Sequence, residues 1–372
     1  MSGVFVVTND FPTRRGGIET FVLSLCEGMA DEVEVYTASM PGDGAFDQGL
    51  AFRVHRDPRS RLLPTPAVSG RVVAAFRASG ADRVVFGASA PLGLLAPALR
   101  AAGAHRIIAL THGHEVWWAR APGSRQLLRR IGRGCDVLTY VSEWCRDRIA
   151  PALDPVHAAA MVQLSPGVDV DRFRPDCGGA AVRTSLGIAP DAPVVVCTAR
   201  MIARKGQDTL IEAWPHVLAV HPSARLLLVG DGPYRRRLER AAAPLGSSVV
   251  FAGSVAWSQM PAYTDAGDVF AMPCRTRLGG LEPEAFGIVF LEAAACGLPV
   301  IVGDSGGAPE AVVDGVTGFV VPPGDAVAVG ARIIELFGDP ARSREMGLHG
   351  RARATESWTW QHSRHRLSEL LS

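Results

Sequence analysis

The sequence predicts an α/β protein made of two Rossmann-like domains, each with a doubly wound parallel sheet. Three observations predict this fold class. The chain has 372 residues, which is too many for one ordinary core and enough for two domains. Short β-branched runs alternate with longer stretches of helical apolar spacing, a pattern typical of parallel strands covered by helices. The alternation occurs twice, on either side of a segment rich in Pro, Gly and Asp.

The first series of strands lies in the amino-terminal half of the chain. Its apolar runs predict strands at 4–8, 33–37, 83–86, 106–110 and 136–141. The segments between these runs, such as 18–30 and 91–102, have helix-like apolar spacing and small residues. We therefore expect a first Rossmann-like domain over residues 1–168.

The second series repeats this organisation. Its apolar runs predict strands at 193–199, 225–230, 249–253, 268–273 and 299–303. The linker is expected within 164–179, where Pro, Gly and Asp are frequent and apolar periodicity is absent. These limits predict a second domain over 169–352 and a C-terminal helix within 353–372 that packs back toward the first domain. We expect the two sheets to face a deep interdomain cleft.

Composition argues against several classes of protein. The formal net charge is +1, so bulk attraction to nucleic acid is not indicated. The 7 cysteines include no CxxC pair, which predicts small apolar side chains in a reducing compartment rather than a disulfide framework or a zinc site. The amino terminus lacks signal-peptide features, and no apolar stretch approaches the roughly 20 residues that span a bilayer. The sequence therefore predicts a cytoplasmic location.

The residues that follow the predicted strands carry most of the chemical information. Ligands of doubly wound sheets bind beyond the carboxyl ends of the strands. The segments at those positions are NDFPTRRGGIE, THGHE, RMIARKG, GDGP and PCRTRLGGLEPEAFGIVFLEA.

Gly16 and Gly17 precede a helix that is predicted to begin near Ile18. A glycine pair at this position allows a ligand close to the backbone and directs helix N–H groups toward an anion. The alternative is a simple strand–helix turn. The pair is not part of a GxGxxG fingerprint, which argues against a nicotinamide or flavin enzyme.

Lysine is almost absent from this chain. Of its 38 lysine and arginine residues, one is a lysine, Lys205. Lys205 and Arg200 follow a predicted strand, and a helix is expected to begin near Gln207, so the pair favours a diphosphate ligand. A compact ammonium suits a tight pocket that a planar guanidinium does not fit. The alternative is that Lys205 is a solvated surface charge. We predict instead that the adjacent Arg204 is the solvated residue.

Glu284 and Glu292 are carboxylates separated by seven residues. If a helix begins at about Phe286, Glu292 lies inside it, among apolar residues, and Glu284 lies just before it. A buried carboxylate needs a hydrogen-bonding partner, and a ribose diol is a suitable one for Glu292. Glu284, near the start of the helix, is placed to meet the hydroxyls of a sugar.

The segment THGHE contains His112, His114 and Glu115. A metal site is one interpretation, but no further ligand follows at helical spacing, and we expect His114 to be structural. Trp117 and Trp118 come next, and they either pack in a core or border an acceptor channel.

Residues 120–134 predict an amphipathic helix with five arginines on one face and apolar residues on another. One interpretation is an ordinary surface helix. The other is a helix that brings the chain to an anionic membrane surface, where each basic residue contributes about 1 kcal/mol.

Together these motifs resemble the retaining family 4 glycosyltransferases of GT-B fold, over residues 4–337. Within that family, THGHEVWW, DVFAMPCRTR, GGLEPE and SGGAPE are most similar to the phosphatidylinositol mannosyltransferases of mycolic-acid-producing actinobacteria, especially those that add the second mannose. The resemblance covers nearly the full chain.

The resemblance implies roles for the residues at matching positions. Arg200 and Lys205 would bind the donor pyrophosphate and stabilise the leaving nucleoside diphosphate. Glu284 would bind hydroxyls of the transferred hexose, and His112 would project toward that sugar. The other donor-binding residues implied are Gly16, Gly17, Asp231, Ser254, Val255, Phe286, Gly287, Ile288, Val289 and Glu292.

Those donor-binding residues fall into groups. The glycine pair matches a loop that closes over the diphosphate, and the backbone of 286–289 would meet hexose and phosphate. Glu292 would hold the ribose. Asp231, Ser254 and Val255 fall where the family recognises the base.

The resemblance also implies a reaction. It is the retaining transfer of mannose from GDP-mannose to a phosphatidylinositol mannoside at the inner face of the membrane, with no metal ion and no nucleic acid partner. One alternative is a family 4 enzyme with a UDP-sugar donor or another lipid acceptor. Another is an inactive nucleotide-sugar-binding partner, against which the intact charged residues argue. A Rossmann oxidoreductase would need the missing dinucleotide fingerprint.

Overall fold

A computed structural model describes residues 3–14 and 16–372. The chain divides into two compact units. The first unit ends at Pro166 and also includes Trp360–Ser372, and the second is Gly167–Thr359. The division falls inside the segment 164–179, in which the sequence places the linker. Residues 353–357, which the sequence assigns to a C-terminal helix, complete a helix of the second unit instead.

The sheet of the first unit has seven parallel strands in the order β3-β2-β1-β4-β5-β6-β7. Strand β1 is buried from Val4 to Thr8, which explains its unbroken apolar run, because helices cover both faces of a parallel sheet. The strands are β1 Gly3–Thr8, β2 Val33–Ala38, β3 Arg53–Asp57, β4 Ala81–Phe86, β5 Arg106–Ala109, β6 Val137–Tyr140 and β7 Val162–Gln163.

The helices of the first unit follow the strands in sequence, and a helix from the end of the chain joins them. They are α1 Gly17–Glu27, α2 Asp43–Asp47, α3 Pro66–Ser79, α4 Ala96–Ala101, α5 Glu115–Arg120, α6 Pro122–Gly134, α7 Glu143–Ile149, α8 Pro155–Ala159 and, near the end of the chain, α16 Trp360–Leu371. On α16, Arg364 Nε donates to the Ser24 carbonyl at 2.7 Å. Arg106 Nε of β5 donates to the Leu370 carbonyl at 2.8 Å. Helix α16 is therefore packed against α1 and β5.

The sheet of the second unit has six parallel strands in the order β10-β9-β8-β11-β12-β13. They are β8 Val194–Thr198, β9 Arg225–Val229, β10 Val249–Gly253, β11 Val269–Met272, β12 Val300–Gly303 and β13 Gly318–Val321. The helices are α9 Gly179–Ser185, α10 Gln207–Val220, α11 Arg235–Ala242, α12 Met260–Asp265, α13 Ile288–Ala295, α14 Ala326–Gly338 and α15 Pro340–Ser357.

Ten strands lie where the apolar runs predict them. The sequence did not predict the edge strands β3, β7 and β13. Strand β3 has charged or imidazole side chains at Arg53, His55 and Arg56, and it resembles no buried apolar run. Strand β7 has only 2 residues. The strand order reverses between β1 and β4 in one sheet and between β8 and β11 in the other, and such positions are where ligands of doubly wound sheets bind.

Candidate active site

In the second unit, the loops after β8 and β11 are in direct contact at the reversal of strand order. The Arg275 N–H donates to the Arg204 carbonyl at 2.8 Å. Gly206 has φ 76°, and a Cβ there would collide with the Pro273 carbonyl oxygen. Glycine is required at 206 for both reasons. This close approach brings the side chains of the two loops together.

Lys205 and Glu284 form an ion pair across these two loops. Lys205 Nζ lies 2.7 Å from Glu284 Oε2, and the two side chains are 12% and 9% exposed. An ammonium group has three N–H donors, and Glu284 accepts one of them. The compact side chain expected at 205 therefore lies in a confined position, beside the carboxylate predicted to bind the sugar.

Arg204 is not the solvated residue that the sequence predicts. Its guanidinium donates to the Pro283 carbonyl at 3.0 Å, and its Nε lies 4.0 Å from Glu284 Oε2. The prediction is wrong because the contact between the loops after β8 and β11 joins residues 79 positions apart, which no local pattern indicates.

The two cations control the ionisation of Glu284. Burial acts to raise the pKa of this carboxyl group, but Lys205 and Arg204 outweigh burial and hold the pKa below its usual range. The main chain of Glu284 is fixed as well, because its N–H donates to Ser305 Oγ at 3.3 Å and its carbonyl accepts from the Gly307 N–H at 2.9 Å. Glu284 is therefore an ionised acceptor in a fixed position.

Arg200 is the exposed cation of this group. Over residues 3–14 and 16–372, no hydrogen-bond or ion-pair partner faces its guanidinium. Its carbonyl accepts from Gln207 Nε2 at 3.3 Å, which ties it to the first residue of α10. Arg200 is available to an anion without displacement of another contact.

Helix α13 begins two residues later than expected, at Ile288 rather than about Phe286. Gly287 precedes it with φ 92°, and no acidic residue lies in the first turn. The first N–H groups of a helix lack internal partners and favour anions. Phe286 is buried against Trp358, with ring centroids 5.0 Å apart, so the segment 286–289 holds the start of α13 in a fixed position.

Glu292 lies in the middle of α13 and is 2% exposed. Within the part of the chain that the structure describes, no group donates a hydrogen bond to its carboxyl. Burial raises the pKa of Glu292 to about 8, although Arg172 opposes this shift. The partner that an acid inside an apolar helix requires is therefore missing from the chain itself, and the carboxyl is neutral at pH 7.

Asp231, Ser254 and Val255 follow β9 and β10, at the same edge of the sheet. The Asp231 carbonyl accepts from the Met201 N–H at 2.9 Å, and its side chain lies 3.4 Å from Arg235. Ser254 is exposed and Val255 is half-buried. The structure thus brings Asp231 next to the loop that carries Arg200.

In the first unit, His112 follows β5 and lies against α1. Its Nε2 is 2.6 Å from the Gly87 carbonyl oxygen, and its ring meets Phe21 edge-on at 5.6 Å between centroids. Since a carbonyl only accepts, Nε2 bears the proton. Burial lowers the pKa of His112, and the charge of Glu115 opposes that shift. The ring is therefore neutral, with Nδ1 left as an acceptor.

Glu115 is a residue whose role the sequence did not show. It is fully buried, and it accepts from the His112 N–H at 3.0 Å and from Ser89 Oγ at 2.8 Å. His114 Nε2 lies 3.3 Å from Glu115 Oε1 and 3.3 Å from the Ala90 carbonyl. Among the described residues, no group of three or more His, Cys, Asp and Glu could hold a metal ion.

Gly16 and Gly17 stand at the start of α1, one residue earlier than expected. Helix α1 has no side-chain cap, but Glu19 lies in its first turn. A Cβ at Gly16 would collide with the Glu19 carboxyl, and burial raises the pKa of Glu19. The Glu19 carboxyl therefore lies close to the start of α1, where the sequence predicts that an anion of the ligand binds.

The predicted amphipathic helix is α6, with Leu128 and Ile131 buried. Its arginines are less free than the sequence implies. Arg133 lies 2.6 Å from Asp154, Arg129 lies 3.6 Å from the same carboxylate, and Arg130 is exposed. Before this helix, Trp117 is 45% exposed. No helix in the described part of the chain has the length and apolarity needed to cross a membrane.

Comparison with known proteins decides the family. The family described as "Glycosyltransferase Family 4" matches residues 15–172, and "Glycosyl transferases group 1" matches residues 180–353. The GDP-mannose-dependent alpha-(1-6)-phosphatidylinositol monomannoside mannosyltransferase of Mycolicibacterium smegmatis is 46% identical, over 99% of this chain and 98% of its own. The chain belongs to the family 4 glycosyltransferases.

Further comparisons agree with this family and with the fold. The Corynebacterium glutamicum mannosyltransferase named for the monoacylated form of that acceptor is 44% identical, over 98% of this chain and 97% of its own. The structure of Anabaena HepE with UDP has a TM-score of 0.83 at 22% identity, covering 100% of this chain and 99% of that chain. The latter similarity concerns the fold alone. The predicted fold class, with two Rossmann-like parallel-sheet domains as in GT-B glycosyltransferases, is confirmed.

Proposed function

We propose that this glycosyltransferase moves mannose from GDP-mannose to a phosphatidylinositol monomannoside, or a closely related glycolipid, with retention of the α configuration. The similarity to enzymes named for this reaction extends over nearly the whole of both chains, which supports the choice of donor and acceptor. The observation that carries the chemistry is the buried Lys205–Glu284 pair at the reversal of strand order, with the exposed Arg200 in the same loop as Lys205.

The donor diphosphate is assigned to the second unit. Lys205 has N–H donors left after its bond to Glu284, Arg200 has no competing acceptor in the described chain, and the start of α13 offers main-chain N–H groups from Ile288 and Val289. Charge-assisted hydrogen bonds of this kind are the strong ones in protein sites. Because these cations belong to the chain, we expect transfer without a divalent metal ion.

The sugars of the donor are assigned to the two carboxyl groups. Glu284 is ionised and suits the hydroxyls of the mannose, and Glu292 lacks a partner and suits the ribose diol. Asp231, Ser254 and Val255 would contact the base. Gly16 and Gly17 would approach the diphosphate, which requires the Glu19 carboxyl to move or to stay protonated.

The reaction proceeds on the face from which the diphosphate leaves. The bond between the anomeric carbon and the β-phosphate oxygen breaks, and the sugar acquires oxocarbenium character. The acceptor hydroxyl oxygen bonds to the anomeric carbon on the same face, and its proton passes to the departing phosphate oxygen. Lys205 and Arg200 stabilise the charge that develops on the diphosphate. His112 accepts a hydrogen bond from a mannose hydroxyl through Nδ1.

With a lipid acceptor, the enzyme would act at the cytoplasmic face of a membrane. We propose that Arg130, an exposed arginine of α6 with no ion-pair partner among the described residues, faces the anionic surface together with the exposed Trp117. Arg129 and Arg133 are less suitable, because Asp154 neutralises part of their charge. The enzyme would be held reversibly, as a peripheral protein.

A donor screen tests this function. Purified protein is incubated with acceptor lipid and either GDP-mannose or UDP-hexoses, after exhaustive EDTA treatment, and the product's anomeric configuration is read by NMR. We expect an α-linked mannoside from GDP-mannose alone. Transfer from a UDP-sugar would assign another donor, and transfer restored only by magnesium or manganese would contradict the role of the built-in cations. The Lys205→Ala protein serves as the inactive control.

A further inference from the structure

We propose that Glu115 is a positioning residue that fixes the loop carrying His112, so that the ring presents Nδ1 to the donor sugar. The inference rests on the proposed role of His112. Glu115 itself touches neither substrate nor the reacting atoms in this account. It acts through hydrogen bonds to the chain.

The contacts of Glu115 join two loops of the first unit. Its Oε2 accepts from the main-chain N–H of His112 at 3.0 Å, in the loop after β5. Its Oε1 accepts from Ser89 Oγ at 2.8 Å, in the loop after β4. Both carboxylate oxygens are therefore used to hold one loop against the other.

The ring of His112 is hydrogen-bonded to the same loop after β4. Nε2 donates to the Gly87 carbonyl at 2.6 Å, two residues before the serine that binds Glu115. Gly87 is itself tightly placed, because its N–H donates to the Val7 carbonyl at 3.0 Å and a Cβ would press on Thr8. One rigid loop thus determines both the main chain and the ring orientation of His112.

The burial of the Glu115 carboxylate indicates that its hydrogen bonds have a role beyond packing. The residue is fully buried, and no lysine or arginine of the described chain forms an ion pair with it. Burial of a carboxylate without a cation is unfavourable unless hydrogen bonds compensate. Here the groups around the carboxylate are the Ser89 hydroxyl, the main-chain N–H of His112 and, at 3.3 Å from Oε1, His114 Nε2; only the first two donate the bonds that join the loops after β4 and β5. An apolar residue could pack the start of α5 but could not hold the His112 N–H.

A double-mutant cycle separates positioning from general stability. Glu115→Ala should lower kcat by about 100-fold, the order expected when a reacting group is displaced by ~1 Å, while the GDP-mannose KM stays within about twofold. In a His112→Ala background the same substitution should cost no further activity, because residues that act as a unit are non-additive.

Conservative variants sharpen the test. In Glu115→Gln, the amide oxygen can accept from the His112 N–H and the amide nitrogen can donate to Ser89, so we expect kcat within about threefold of wild type. Ser89→Ala should give a smaller loss than Glu115→Ala, again absent without His112. If Glu115→Ala does not fold, these two variants carry the test. Nitrogen-15 spectra of the His112 ring should show Nε2–H in wild type and mixed tautomers in Ser89→Ala.

Asp136 provides the matched control. Its carboxylate accepts from the Ile107 N–H at 2.6 Å, at the other end of β5 from His112. Asp136→Ala should lower the melting temperature and leave kcat unchanged. If Glu115→Ala lowers activity by the same factor with and without His112, or if Asp136→Ala lowers kcat equally, Glu115 is structural and the inference is wrong. Full activity of His112→Ala would instead refute the proposed role of His112.

Discussion

The two units share a topology but place different chemistry at the carboxyl edges of their sheets. In the second unit, the loops after β8 and β11 bring Lys205 and Arg204 within ion-pair distance of Glu284. In the first unit, the loops after β4 and β5 bring together His112, Glu115 and Ser89, joined by hydrogen bonds. The fold supplies an edge where strand ends converge, and we propose that the residues in the loops decide whether that edge binds an anion or orients a neutral group.

The difference extends to the ionisation of the carboxyl groups. Lys205 and Arg204 keep the pKa of Glu284 low despite burial, whereas burial raises the pKa of Glu292 to about 8. Within one unit, therefore, the chain holds one buried acid charged and leaves the other neutral, and we propose that a ligand supplies the partner that Glu292 lacks.

The largest effect is expected from the cation in the buried pair. Lys205→Ala should lower kcat by about 1000-fold, because a donor that stabilises developing charge is worth that much in a protein site. It also leaves the buried Glu284 carboxylate with only the more distant Arg204, 4.0 Å away, so the free energy of unfolding should fall by up to about 3–5 kcal/mol. Urea denaturation and transfer assays measure the two losses separately.

The control for that prediction is the double variant Lys205→Ala/Glu284→Gln. It removes the stranded charge, so it should recover most of the unfolding free energy and none of the activity. Lys205→Arg should also be impaired, because a planar fork does not fit a pocket shaped for an ammonium. A fully active Lys205→Arg enzyme would show that the lysine has no special function.

Arg200→Ala should give the next largest effect. Loss of a charge-assisted hydrogen bond, about 1.5–3 kcal/mol, weakens GDP binding by about 10- to 150-fold in calorimetry. The thermal stability should not change, because Arg200 is exposed and has no partner in the described chain. Arg344→Ala, which removes an exposed arginine on α15, is the matched control and should bind GDP as wild type does. Equal weakening in both variants would indicate a general charge effect.

Several of these features could be predicted from the sequence and others could not. Short buried runs such as VFVVT indicate β1, and a glycine before a helical pattern indicates the start of α1, because both signals are local. The partner of Lys205 could not be predicted, since Glu284 lies 79 positions away and both residues were expected to meet the ligand. The same long-range contact placed Arg204 in an ion-pair network.

Glu115 shows the same limit in the first unit. The sequence places it beside His112 and His114, which makes a metal ligand conceivable. Its actual partners include Ser89, on the loop after another strand, and no spacing within THGHE reveals that contact. Glu284 and Glu292 are buried. Their burial could be predicted, because the apolar residues around them are near in the sequence.

A smaller effect is expected from the neutral state of Glu292. A ribose diol that donates to this carboxyl should favour its ionised form, so GDP binding at pH 7 should release up to about one proton, and affinity should rise by at most about tenfold per pH unit toward pH 8. Calorimetry in buffers of different ionisation enthalpy measures the release. Glu292→Gln should not release this proton on GDP binding, although protons released by the diphosphate itself should still be measured. Identical release in both proteins would contradict the assignment.

The raised pKa of Glu292 also affects stability. The neutral form is favoured in the folded state, so its contribution is fully present below the unfolded pKa of about 4.5 and is lost as pH rises toward about 8. Glu292→Gln should therefore flatten the fall in melting temperature over that interval. An unchanged slope would show that Glu292 is ionised in the free protein.

The smallest effect is expected at the membrane. Arg130→Gln removes one charge, and at about 1 kcal/mol per basic residue near an anionic surface, binding to anionic vesicles should fall about fivefold, with unchanged binding of GDP. Arg344→Gln is the control for the loss of one positive charge elsewhere. If both variants bind vesicles alike, α6 is an ordinary surface helix.

The division of labour between the units is tested most directly by GDP affinity and mannosyl transfer in Arg200→Ala and His112→Ala, measured side by side. We predict that Arg200→Ala binds GDP at least about tenfold more weakly. His112→Ala should bind GDP within about twofold of wild type and transfer mannose about 100-fold more slowly. A loss of GDP affinity in His112→Ala as large as that in Arg200→Ala, or full transfer by either variant, would contradict the account.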